Sequence, residues 1–327
     1  MIIREFTPSD YEVFAAVTNA VYPDYPESAD EMRRDDARRQ PHILHGRFLA
    51  ELDGRVVGTA DYDQHAGQYQ PQVFALNVAV LPEYRNRGVG SALYDRLMRA
   101  LAPFDPLKIK GNAREDWTHS VRFLEARGFE EAMRTWESRL DPRTFDGSAF
   151  AGHLERLEAQ GVRLVSYAEL DPATRDRRFY EVFCRVRLDV PRTEPATEMS
   201  YEFFLASFPN EPTFVPEACI FAEVNGELAG MSNVWLSDVS DDLFVGLTGV
   251  LPEYRRRGLA LGMKLRTLEW ARAHGAPSLK TWNASNNLPM LAINEQLGFV
   301  KQPAWIDFAR YPKSQPQAAL SGAAEAR

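Results

Sequence analysis

Leu81-Pro82-Glu83-Tyr84-Arg85-Asn86-Arg87-Gly88 occurs a second time as Leu251-Pro252-Glu253-Tyr254-Arg255-Arg256-Arg257-Gly258, with seven of the eight residues unchanged. Each copy follows a run with strand character, 74–80 or 244–250, and opens a run with helical periodicity, so each is a strand-to-helix turn. Such turns bind phosphate, because the first N–H groups of a helix lack internal partners and the helix dipole adds positive charge there. A glycine at this point, Gly88 or Gly258, removes the side chain that would hold a diphosphate away from those amides. Gly90 and Ala260 are small for the same reason, while Arg85, Arg87, Arg255, Arg256 and Arg257 supply charge-assisted donors.

One basic turn with a glycine reads equally well as a solvated loop; two copies in matching contexts do not. Neither copy ends in Gly-Lys-Ser/Thr as a P-loop would, and neither has the three glycines of a dinucleotide fingerprint. The remaining pattern, Arg-x-x-Gly-x-Gly/Ala after a strand, resembles the acetyl-CoA signature of the GNAT family of N-acetyltransferases. A second landmark supports the doubling: Gly128-Phe129 and Gly298-Phe299 are spaced like the turn glycines (258 − 88 = 298 − 128 = 170).

At 327 residues and 45% hydrophobic composition the chain exceeds one ordinary core and fits two domains. A net charge of −8 argues against nucleic acid or an anionic membrane as partner and favours a cationic or amine substrate. Cys184 and Cys219 make neither a disulfide framework nor a metal set, which points to a reducing cytoplasm. The start, Met1-Ile2-Ile3-Arg4-Glu5-Phe6, does not read as a signal peptide, and no apolar run approaches membrane-spanning length.

In chain order, the pattern predicts a strand at 2–6, a helix starting near Ser9 or Asp10, and a charged helix at 27–39 whose arginines form a wet face. Strands at 47–52 and 56–62 meet at Asp53-Gly54, a hairpin signal, before strand 74–80 and the first turn. Val89, Leu93, Leu97 and Leu101 then mark a helix, with a short parallel strand at 107–110 and a helix at 116–126. After a helical linker at 142–161 the order restarts: a strand from 162, helical material at 175–188, a hairpin around Asn225-Gly226, strand 244–250, the second turn, strand 279–282 and a helix to Leu297. The aromatic loop 190–208 is a place for substrate contacts, although Phe203, Phe204 and Phe208 fit a core role as well. Residues beyond about 312 read as a disordered tail.

The resulting expectation is an α/β chain with a mixed sheet, built as two tandem GNAT-like domains at 1–141 and 162–313 with a tail at 314–327. Each domain would be a twisted, mostly antiparallel sheet with a parallel β-α-β core flanked by helices.

Carried over residue by residue, the resemblance implies that acetyl-CoA meets Val78 and Val80 in the first half and Thr248 and Val250 in the second. The diphosphate would lie on Arg85, Asn86, Arg87, Gly88, Val89 and Gly90, and on Arg255, Arg256, Arg257, Gly258, Leu259 and Ala260. Asn283 and Asn287 in the second half complete the family's cofactor face, whereas the first half has Trp117 at the position of Asn287. Where many members carry a tyrosine acid, this chain has Leu124 and Asn294. The chemistry is attack of a neutral amine on the thioester, with a backbone N–H stabilising the oxyanion. Its harder demand is deprotonating an ammonium of pKa about 10. Candidates by location are Asp61, Asp63 and His65 in the first half and Asp238, Asp241 and Asp242 in the second, with Asn294 a further polar candidate.

Three readings follow: an N-acetyltransferase of small-molecule or peptide amines with the second half catalytic; an acetyl-CoA-binding regulatory module; or an acyltransferase using another acyl group or a thiol or hydroxyl acceptor. Acetyl-CoA is the only co-substrate implied, with no metal, nucleic acid or membrane partner, and with a monomer or homodimer as the assembly. His42 and His45 lack a completing ligand and read as loop histidines. No Gly-x-Ser-x-Gly elbow marks a hydrolase.

Overall fold

The computed structural model describes residues 1–312, so the expected tail at 314–327 lies outside the described residues. The first half runs β1 (Ile2–Glu5), α1 (Tyr11–Val21), α2 (Ala29–Arg38), β2 (His45–Leu52), β3 (Arg55–Asp63), β4 (Val73–Val80), α3 (Val89–Leu101), β5 (Lys108–Arg114), α4 (Thr118–Glu125) and β6 (Glu130–Leu140). A segment of 3-10 turns and the short α5 (His153–Ala159) leads into the second half. There follow β7 (Val162–Ser166), α6 (Arg175–Val186), α7 (Tyr201–Ser207), β8 (Ile220–Val224), β9 (Glu227–Trp235), β10 (Leu243–Val250), α8 (Leu259–Ala273), β11 (Leu279–Ala284), α9 (Leu288–Gln296), β12 (Val300–Lys301) and β13 (Trp305–Arg310).

Among the described residues, thirteen strands form one mixed sheet in the order β1-β2-β3-β4-β5-β13-β6-β11-β10-β9-β8-β7, with β12 beside β6. The parallel contacts are β4 with β5 and β10 with β11, one in each half. The centre is an exchange: β13, the last strand of the second half, lies between β5 and β6, while β6 pairs with β11. The halves therefore share one sheet and complete each other. Ile306 and Phe308 of β13 are buried in the first half's core beside Phe74, Leu93 and Ile109, while Leu140 of β6 packs into the second half's core.

Pattern explains most elements. Val89, Leu93, Leu97 and Leu101 fall on one face of α3 and are buried as their spacing predicts. Strand β5 reaches Arg114, beyond the 107–110 expected, because β13 supplies a ladder from Ile109 to Arg114. Strands β6, β12 and β13 have no counterpart in the sequence reading. The loop 190–208 bridges the halves: Glu194 meets Lys108 at 2.5 Å and Thr197 accepts from Tyr69 N at 2.6 Å. Phe204 is fully buried in the second half's core.

The arginines of α2 do more than form a wet face. Arg34 reaches Asp238 at 2.7 Å and Arg34 and Arg38 both pair with Glu211, so α2 of the first half docks on the second. No helix among the described residues is long and apolar enough to cross a membrane.

Candidate functional site: two splayed strand pairs

Strands β4 and β5 pair only through Val73, Phe74 and Ala75, and β10 and β11 only through Leu243 and Phe244. Beyond those points each pair parts, and the edge of β4 or β10 facing the gap loses its ladder. The two repeated turns close the wide ends of these gaps. Asn86 and Arg256 are non-glycine residues with φ of 60° and 61°, and Gly88 and Gly258 have φ of 82° and 81°, so the loops share one backbone path. At φ near +80° an L side chain is strained, which accounts for glycine at both places.

In both loops the amides of residues 86–91 and 256–261 have no acceptor among the described bonds; the first capped donors are Ala92, to Gly88 O, and Gly262, to Gly258 O, each at 3.0 Å. That is the donor set a diphosphate needs. Two of the arginines also hold the backbone behind the loop. Arg85 Nε donates to Val80 O at 3.2 Å and Arg255 Nε to Val250 O at 3.0 Å, so each braces the strand end behind the loop. Arg87 lies 5.4 Å from the Tyr84 ring.

The two gaps differ in what lies over them. In the first half a cleft of about 520 Å³ runs from Arg85, Asn86, Gly88, Gly90 and Ser91, past Val78 and Val80 on β4 and Gly111 and Asn112 on β5, to α4 and the segment after α1. A side chain built on Gly88 would meet nothing within 4 Å; one on Gly90 would come within 3.3 Å of Phe123 and narrow the cleft. Trp117 forms part of the wall and packs edge-on against Trp305 of the exchanged strand, 5.1 Å between ring centres.

In the second half, α5 lies across the turn. His153 Nε2 is 3.1 Å from Gly258 O, and a side chain on Gly258 would fall 2.8 Å from that ring. Leu157 of α5 presses on Gly262 and Val186 of α6 on Gly249, and Arg255 is paired with Asp189. The gap itself is polar: Thr248 shares a 2.8 Å hydrogen bond with Ser232, and Asn294 Nδ2 donates to Asn283 Oδ1 at 2.7 Å. Asn233 accepts from Leu247 N at 2.9 Å at a bulge between Val245 and Thr248 that β4 lacks. Asn287 is the N-cap residue of α9, as Trp117 is of α4, and its side chain caps nothing.

Residues 9–129 and 177–299 each match the acetyltransferase (GNAT) family. The chain belongs to the acetyltransferase (GNAT) family. As a GNAT protein it is similar to mycothiol acetyltransferase of Thermobifida fusca, 25% identical over 285 residues, or 83% of this chain and 85% of the relative. Its fold is that of a tandem GNAT protein from the clavulanic acid biosynthesis pathway, with TM-score 0.72 and 18% identity over 94% of this chain and 98% of that one. A GCN5-related N-acetyltransferase from Sphaerobacter thermophilus gives TM-score 0.68 and 16% identity, covering 94% and 95% of the two chains. Acetyl-CoA is the co-substrate this family implies.

The carboxylates expected from sequence fall into two sets. Asp238 is held by Arg34 of the first half, Asp242 reaches Lys280 at 2.7 Å, and Asp241 is exposed; all three lie on the β9-β10 loop. Asp63 stands opposite His45 at the end of β3, and His65 caps its own turn by accepting from Gly67 N at 3.0 Å. Asp61 is different. It sits on β3 directly across from Asn77 of β4, a residue of the cleft wall, and Tyr22 OH donates to Asn77 Oδ1 at 3.1 Å. Burial, then the nearby charge of Asp63, pushes the Asp61 carboxyl up to about 7, against the pull of Arg47 and Asn77. Burial and Asp61 together push Tyr22 up to about 12.

Sequence reasoning did not find Tyr22 or Asn77. Asn77 carries a signal in hindsight, as the one polar side chain in the strand 73–80; Tyr22 follows a helix end and has none.

Proposed function

We propose that this GNAT protein transfers an acetyl group from acetyl-CoA to a primary amine by direct attack in a ternary complex, and that the first half's cleft is where this happens. The observation that supports the reading is an open cleft joining the free amides of the first turn to Asn77 and Tyr22, with Asp61 directly across from Asn77 on the next strand. Bound acetyl-CoA supplies the activated thioester. The amides of residues 86–91 hold its diphosphate, and the unpaired edge of β4 beyond Ala75 offers backbone groups to its arm. Asp61, poised near neutral pH, accepts the ammonium proton directly or through one water, and Asn77 and Tyr22 fix the amine beside it. Neither half has a tyrosine acid at Leu124 or Asn294; a thiol of pKa about 8.5 is a tolerable leaving group without one.

This reverses the preference for the second half that its asparagines suggested. A second reading keeps catalysis there: the bulge at Gly246 and Leu247, and the buried Asn294 Oδ1 and Asn233 Nδ2 that lack partners, favour a group bound in that gap. Titration calorimetry with acetyl-CoA distinguishes the two. Under the first reading Gly88→Glu abolishes the tighter site and turnover while Gly258→Glu spares both; the opposite pattern restores the second half. The similarity to mycothiol acetyltransferase makes a mycothiol-type amine one acceptor to include in a thiol-release panel with aminoglycosides, polyamines, amino acids and peptide N-termini. Absence of thiol release with every amine of the panel, alongside intact acetyl-CoA binding, would favour a regulatory module.

A further inference from the structure

Lys280 lies on β11 and is only 2% exposed, although its ammonium is a compact, strongly hydrated charge. Such a group stays charged in an interior only where it is paired and hydrogen-bonded. Asp242, from its own half, supplies the pairing at 2.7 Å, and the rings of Phe244 and Tyr25 stand 5.3 Å and 5.5 Å from Nζ. The remaining partner belongs to the other half: Nζ donates to the backbone carbonyl of Asp24 at 2.6 Å. Neutralising Asp242 does not require that bond; holding the chain at Asp24 does.

Asp24 lies in the turn that carries Tyr22 into the cleft. Tyr25 N donates to Tyr22 O at 3.0 Å and Tyr22 N to Thr18 O at 2.8 Å, so residues 22–25 form one closed turn continuous with the end of α1. Two ties from β6 fix its side chains: Tyr25 OH donates to Glu137, and Arg139 meets the Asp24 carboxylate at 3.0 Å. Among the described residues Lys280 is the one side chain bonded to the backbone of the turn. At the other end of the turn, Tyr22 packs on Trp117, 5.4 Å between ring centres, and places its hydroxyl 3.1 Å from Asn77 Oδ1. The arrangement is reciprocal. Lys108 of β5 meets Glu194 at 2.5 Å, in the segment that follows α6 as the turn follows α1. Each half thus uses a lysine on its inner parallel strand to hold a segment that the other half sends across.

We propose that Lys280 of the second half is a positioning residue for the first half's reaction, setting the Tyr22 hydroxyl against Asn77 through its bond to the Asp24 carbonyl. This rests on the assignment of acetyl transfer to the first half's cleft. Lys280 is not part of the cleft wall and acts only through the turn. A shift of the turn by about 1 Å is enough to misplace the amine against the thioester and to cost on the order of a hundredfold in rate. The second half then takes part in catalysis whether or not it binds acetyl-CoA itself.

The test uses the full chain as Lys280→Met, Tyr22→Phe and the double variant. Methionine keeps most of the stem without the ammonium, and Asp242, with its side chain 24% exposed, can be hydrated when left unpaired. Thiol release at saturating acetyl-CoA is followed with kanamycin, spermidine, leucine and an alanine-terminated peptide as acceptors, and acetyl-CoA affinity by calorimetry. Expected is a kcat/KM for the amine at least about tenfold lower in each single variant, with acetyl-CoA affinity and the pH dependence set by Asp61 unchanged. The double variant should fall no more than about twofold below the poorer single one, because Lys280 acts through the hydroxyl that Tyr22→Phe already removes. In a crystal structure of Lys280→Met, the Tyr22 hydroxyl should stand away from Asn77. Additive losses in the double variant, an acetyl-CoA affinity that falls along with kcat/KM, or a Tyr22–Asn77 hydrogen bond intact in Lys280→Met overturns the proposal and leaves the cleft reading in place. Should Lys280→Met not fold, Lys280→Gln, shorter and uncharged, is judged by the same criteria. Turnover lost on Gly258→Glu but kept on Gly88→Glu, or no release with any of the acceptors, removes instead the reading on which it rests.

Discussion

Replacing Asp61 by asparagine separates its two consequences. A carboxyl raised from 3.8 to about 7 binds its proton more tightly folded than unfolded, so the folded state loses stability as pH rises from about 4 to about 7 and gains none back above that. A shift of about three units corresponds to ~4 kcal/mol at 1.36 kcal/mol per unit; because Asp61 keeps partial solvent contact, roughly half, ~2 kcal/mol, is the working figure. Asp61→Asn removes that pH-dependent cost. Its urea midpoint should match the parent near pH 4.5 and exceed it at pH 8, by the equivalent of ~2 kcal/mol. Turnover moves the other way. If Asp61 takes the ammonium proton, kcat/KM of the parent climbs with pH along a limb centred near 7, and Asp61→Asn loses the limb and ~100-fold or more of the rate. A variant that keeps the limb and stays within about threefold of parental kcat/KM refutes the assignment of the base, even if its stability rises at pH 8 as calculated.

Other outcomes follow from the same geometry. Gly88→Glu forces an L side chain into φ +82° and sets a carboxylate beside the diphosphate amides; strain of ~1–2 kcal/mol plus repulsion should weaken acetyl-CoA at least about tenfold by calorimetry. Phe308→Ala deletes a buried ring that the second half lends to the first half's core, and should cost ~3–5 kcal/mol in denaturant unfolding while leaving one cooperative transition. Residues 1–141 expressed alone lack β13, so β5 and β6 present unpaired edges; size-exclusion chromatography should show association or aggregation instead of a stable monomer.

How much of this was readable beforehand depends on the range of the interaction. The strand-turn-helix units were legible because their signals are local: four-residue spacing in α3, and Asp53-Gly54 and Asn225-Gly226 at hairpin turns whose φ values are all positive. The family followed from the doubled turn. Strands β6 and β13 were not legible, since Glu130–Leu140 and Trp305–Arg310 become strands by pairing with partners far along the chain. The seven-residue β5 was read short for the same reason, its outer part being laddered only by β13. Arg85 and Arg255 were read as phosphate ligands from charge alone; their bond to the preceding strand is a matter of backbone geometry that composition does not encode. Asp61 was on the list of candidate bases, but nothing in sequence distinguished it from Asp63 two residues later on the same face.

The contrast between the two turns has a simple origin in connectivity. Doubling a chain end to end yields two phosphate loops but a single linker, and that linker must travel from the end of β6 at the centre of the sheet to β7 at its far edge. Crossing the second half, it lays α5 against α8, with Leu157 on Gly262 and His153 on Gly258. The first loop has no such neighbour on Gly88. Two turns with seven of eight residues in common thus sit in different surroundings, and the difference comes from the path between them. Substituting His153 by alanine tests this directly. With the imidazole gone, the second turn should bind acetyl-CoA more tightly than in the parent, measured in a Gly88→Glu background so that only that turn contributes. Unchanged or weaker binding there would mean that His153 is not an obstacle, and the asymmetry would have to be sought in Arg255 and its pairing with Asp189.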